Sequence, residues 1–338
     1  MSRISRYQDS VCKFMKNNQF FLDDDKEFTK IVESSDHVVS IVFLTIMKSQ
    51  YEKNGGTHRH GYYMAFCIEN LLYCTLISEN KKHFINTCNE SSINSFINSV
   101  PYMINTALIT NNEILNDNYV GKNHKEYIKS LLELSKNINN SLMEVLKPID
   151  LGNFDKNDRI TRSDIMSYNF KNKKNLDKIK TLKKIDTILI DQYVKKKYGH
   201  IIKLALTSAW MIGNNGDKLL KNANGTSVYK SNDEYEKMSM AFAFMIKAIR
   251  DFSMVEEDIM NTTTDYSVNY MVNNGFQYTF ELFYNNKQKF IEYCIKYNVY
   301  TNTVKEILDL LEKKLDQVVN ESSPDLYTSK TIKSNNLS

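Results

Sequence analysis

Four groups of residues in this sequence have types and spacing that chemistry could use. In "GGTHRHG" (55–61), His58 and His60 form an H-x-H pair around Arg59. Two imidazoles can begin a metal site, but no third ligand follows at suitable spacing. Cationic side chains just after Gly55-Gly56 and ahead of a helix read better as an anion contact, aided by the N–H groups of the helix start; a plain loop stays open. Glu113 and Asp117 stand at i and i+4, so both carboxylates share one helix face. Such a pair can hold a divalent cation or sit solvated near a helix end. The run Lys195-Lys196-Lys197 ahead of Tyr198-Gly199 could meet a phosphate or simply face water. The fourth group, "IKAIRDFSMVEED" (246–258), approaches an Asp-rich metal motif and then withholds the ligands. Asp251 has Val255 at i+4, Glu256 has Met260, Glu257 has Asn261 and Asp258 has Thr262. No P-loop, G-x-G-x-x-G or G-x-S-x-G is present.

The elements that must position these groups read as helices. Three prolines and ten glycines in 338 residues leave long stretches without breakers, fewer turn residues than a β-rich chain needs. Residues 36–53 carry helical periodicity, with Ser35 or Asp36 as the expected N-cap. Residues 62–77 are apolar nearly all round, as a central helix would be. Further helices are expected at 93–115, 125–146, 198–212, 234–252 and 304–319. Two helices with little amphipathicity require others packed around them. The sequence therefore predicts an all-α chain built as one large bundle over 1–320, with a basic polar connection at 152–190 and a polar tail at 321–338. There is no internal repeat.

Composition narrows the function classes. A charged fraction of 25% and a formal charge of +4 give no concentrated basic face, so nucleic acid is not expected. No uninterrupted apolar run reaches membrane-spanning length, and the first twenty residues lack the apolar stretch of a secretory signal. The five cysteines (Cys12, Cys67, Cys74, Cys88, Cys294) show neither C-x-x-C nor zinc-type spacing, which fits reduced thiols in a cytoplasmic setting. Abundant Asn, Lys, Ile and Tyr beside scarce Ala, Gly and Pro suggest an A+T-rich genome, such as that of a large DNA virus.

Taken in order, the four groups resemble the trans-isoprenyl diphosphate synthase (polyprenyl synthetase) family. "GGTHRHG" (55–61) falls where the family has G-G-K-x-x-R-P, and "LITNNEILND" (108–117) resembles its first Asp-rich segment. "KKYGHIIKLALTSAWMIGNNG" (196–216) is similar to the K-T-G segment, and "FAFMIKAIRDFSMVEED" (242–258) to the second Asp-rich segment. The resemblance spans roughly 55–320. It implies an isoprenoid-synthase bundle, a homodimer, and a chemistry in which Mg²⁺ neutralises a departing diphosphate.

The departures matter as much as the matches. The first motif's metal positions would be Asn111 and Leu115, with Asn112 between them; the second's would be Arg250 and Met254, with Asp251 retained. Asn is a weak neutral ligand, Leu and Met cannot hold Mg²⁺, and Arg repels it. The resemblance also places His58, Arg59, His60, Lys197, Lys247 and Arg250 where anions would bind. The resulting expectation is a relative without cofactor or metal-dependent prenyl transfer, retaining a binding or structural role. The alternative is an active prenyltransferase or terpene-synthase-like enzyme using Mg²⁺ at a displaced acidic pair, Glu113 and Asp117.

Overall fold

A computed structural model describes residues 2–18, 32, 35–54, 61–79, 90–118, 124–147, 159–160, 174–214, 220–221, 227–228, 231–261 and 265–322. The chain is all-α: helices carry the described structure, with one small antiparallel ladder. In chain order these are α1 (Arg3–Asn18), α2 (Val38–Asn54), α3 (Gly61–Glu79), α4 (Glu90–Asn118) and α5 (His124–Leu146). Then come α6 (Lys174–Ile179), α7 (Thr187–Val194), a π-turn (Lys195–Gly199) and α8 (His200–Gly213). The strands β1 (Leu220–Lys221) and β2 (Ser227–Val228) precede α9 (Ser231–Ser253), α10 (Val255–Asn261), α11 (Tyr270–Lys296) and α12 (Asn302–Ser322).

The chain divides into two compact units. The first comprises Met1–Pro148, Lys196–Met240 and Ile291–Ile307; the second comprises Ile149–Lys195, Ala241–Phe290 and Leu308–Ser338. In the first unit, α3 packs against α1, α2, α4, α5 and α8, while α2 also lies along α8. This explains the nearly unpatterned sequence of α3. A helix with neighbours on every side has no solvent face to mark, and its Met64, Phe66, Ile68, Leu71, Tyr73 and Ile77 are all buried. Trp210 of α8 anchors a second cluster, meeting the rings of Tyr235 at 5.5 Å and Tyr297 at 6.4 Å edge-on. Cys67, Cys74 and Cys294 are buried within this unit, and burial pushes the Cys67 and Cys74 thiols up to about 12 and Cys294 higher still.

The second unit gathers α6, α7, α10 and most of α11, together with the C-terminal half of α9 and the later part of α12. Its aromatic core includes Phe242 against Phe290 at 4.9 Å and Phe252 against Phe276 at 5.4 Å. Within α11, Gly275 adopts φ 78°, ψ −179°, a conformation essentially reserved for glycine, and this breaks the helical path.

Several boundaries differ from the sequence reading. The α2 cap is neither Ser35 nor Asp36: His37, at φ 51°, stands immediately before the helix and its carbonyl accepts from Ile41 N–H at 2.9 Å. The expected connection at 152–190 contains α6 and the first residues of α7. The tail from 323 onward lies outside the described residues, as do His58, Arg59 and His60. Among the described residues, no helix is long and apolar enough to cross a membrane.

At Gly213 the backbone of α8 lies close against α2. A Cβ there would stand 2.6 Å from Gln50 Cβ and 2.8 Å from the Met47 carbonyl oxygen, neither of which can swing aside. Gly213→Ala is expected to lower stability by about 1–3 kcal/mol. A urea midpoint equal to that of the wild type would contradict this packing.

Candidate functional site

The last two turns of α9 carry Lys247, Arg250 and Asp251, three of the positions singled out from sequence. Lys247 and Asp251 lie one helical turn apart, and both side chains are completely buried. The Lys247 ammonium donates to Asp251 Oδ1 and also stands 5.9 Å from the Tyr193 ring centroid. The other carboxylate oxygen, Oδ2, accepts from Tyr270 N–H at 2.7 Å. Tyr270 is the first residue of α11, so Asp251 supplies an anion to an orphan donor at the positive end of that helix.

Asn269 completes the junction. Its Oδ1 accepts from the N–H groups of Met271 (2.8 Å) and Val272 (3.3 Å), the bonding of an N-cap. Its Nδ2 donates to the Asp251 carbonyl at 3.0 Å and to Asp258 Oδ2 at 2.8 Å. Arg250 Nη1 lies 3.4 Å from the same Asp258 oxygen and 3.8 Å from Asp251. At the edge of the cluster, Tyr270 donates its hydroxyl to Asp191 Oδ1 at 2.5 Å. Two cations therefore meet two carboxylates, with Lys247 and Asp251 fully buried and Arg250 and Asp258 partly exposed. Burial is the main influence on Asp251 and pushes its carboxyl up to about 6; the nearby Lys247 and Arg250 charges oppose that rise.

These contacts decide what the junction can hold. A magnesium ligand needs a carboxylate oxygen facing an open position. Both oxygens of Asp251 are occupied, by an ammonium and a backbone donor. Met254 lies in the turn between α9 and α10, its N–H bonded to the Arg250 carbonyl. At this junction, then, Asp251 has no open oxygen to offer a magnesium ion. Among the described residues no cluster of three or more His, Cys, Asp or Glu could hold a metal.

The remaining predicted positions fall elsewhere. Asn111, Asn112, Glu113, Leu115 and Asp117 are in α4, but their side chains lie outside the described set. Lys197 is on the π-turn in the first unit, where it is buried and donates to the Lys147 carbonyl at 3.0 Å, just past the end of α5. That contact places a cation at the negative end of a helix. Burial holds the Lys197 ammonium below the usual lysine range. The neighbouring Tyr198 donates to Glu79, and His200 lies 3.4 Å from the Ser141 carbonyl.

A polar cluster unforeseen from sequence lies in the first unit. Glu69 is buried in α3; its Oε1 accepts from Ser40 Oγ at 2.5 Å and its Oε2 lies 2.9 Å from His37 Nδ1. The available signal was a carboxylate in an otherwise apolar helix. The order of contacts is Ser–Glu–His, so the hydroxyl is bonded to the carboxylate and not to the imidazole that would activate it. This arrangement ties α2 to α3.

Removing one partner of a buried ion pair strands the other. With Asp251→Asn in place the Lys247 ammonium is stranded, so adding Lys247→Met is expected to raise stability by about 3–5 kcal/mol. Titration supplies a second signature. Because the carboxyl rises from an ordinary 3.8 to about 6 on folding, the folded state holds its extra proton between those values. That stabilisation is fully present below pH 3.8 and lost as pH rises through about 6. Urea midpoints recorded across this range should show the wild type losing stability relative to Asp251→Asn. A flat difference would overturn the assignment.

No family model matches the chain, and no curated protein does. Among solved structures, it is similar to a candidate farnesyl-diphosphate synthase from Marinomonas sp. MED121, with TM-score 0.48 and 11% sequence identity. That similarity covers 93% of this chain and 98% of the other. At this level it decides neither activity nor substrate.

Proposed function

We propose that this chain is an isoprenoid-synthase-like helical protein that does not perform metal-dependent prenyl transfer and instead has a binding or structural role. The observation that carries this reading is the occupation of Asp251. It is the one acid retained at the second Asp-rich position, and its oxygens serve Lys247 and the start of α11. Asp251 thus contributes to folding where the resemblance would have it contribute to catalysis. The ordered sequence resemblance over roughly 55–320 supplies the family side of the proposal, including the expectation of a homodimer.

Prenyl transfer separates charge as diphosphate leaves, and magnesium normally offsets that charge. Lys247 cannot replace it at this junction, since its ammonium is buried on Asp251. Purified protein incubated with Mg²⁺, isopentenyl diphosphate and an allylic diphosphate should yield no longer prenyl product. Formation of such a product, abolished by Glu113→Gln with Asp117→Asn, would overturn the proposal in favour of a displaced acidic site.

A further inference from the structure

We draw no further inference here: the strongest candidate, the buried His37–Glu69–Ser40 cluster between α2 and α3, leaves His37 Nε2 without a hydrogen-bond partner, but nothing in the structure shows what would meet that nitrogen, and the remaining contacts are the tie between the two helices already described.

Discussion

A carboxylate removed from water must have both oxygens satisfied, and that constraint organises the second unit around Asp251. One oxygen neutralises an ammonium one turn back on the same helix, and the other caps the helix that follows. With those two contacts made, the end of α9 and the start of α11 are fixed together. Asn269 then bonds to the Asp251 carbonyl and to Asp258, and Arg250 closes the remaining charge. The junction is a neutral hub in which the cation is part of the chain. A metal would hold helices together by the same electrostatic logic, but it would need vacant oxygens, and here none is left on Asp251.

The sequence revealed the helices whose apolar positions recur at helical spacing, and α3 through its lack of any polar face. By the same criterion α1 was legible, since its Ile4, Val11 and Met15 share one buried face, whereas α11 was concealed by Asn, Gly275 and aromatic residues that obscure the period. The Lys247–Asp251 pair was visible in principle, since it obeys the same one-turn spacing used to test pairs of carboxylates. One-turn spacing serves an acid–base pair as well as an acid–acid pair, and at this position the partner of the acid is Lys247. The third partner, Tyr270 N–H, lies 19 residues along the chain and belongs to backbone. No side-chain pattern could announce it.

The cap of α2 carries the same lesson. Ser35 and Asp36 are better N-cap types than histidine, yet His37 occupies the position in a left-handed backbone conformation. Its imidazole is thereby placed against Glu69, the buried acid of α3. Satisfying that carboxylate outweighs the local preference for serine or aspartate, because an unmet buried charge costs more than a weaker helix cap. In both units, then, a buried acid determines how a neighbouring helix begins.

The buried cysteines give the first unit a built-in clock. Cys67, Cys74 and Cys294 are shielded from solvent, and their raised pKa values keep them as thiols where a reagent needs thiolates. Alkylation at these three positions must wait until the surrounding helices separate, whereas half-buried Cys12 is open to faster attack. The ratio of slow to fast labelling therefore measures the opening equilibrium around α3 and the end of α11, with no probe added to the chain.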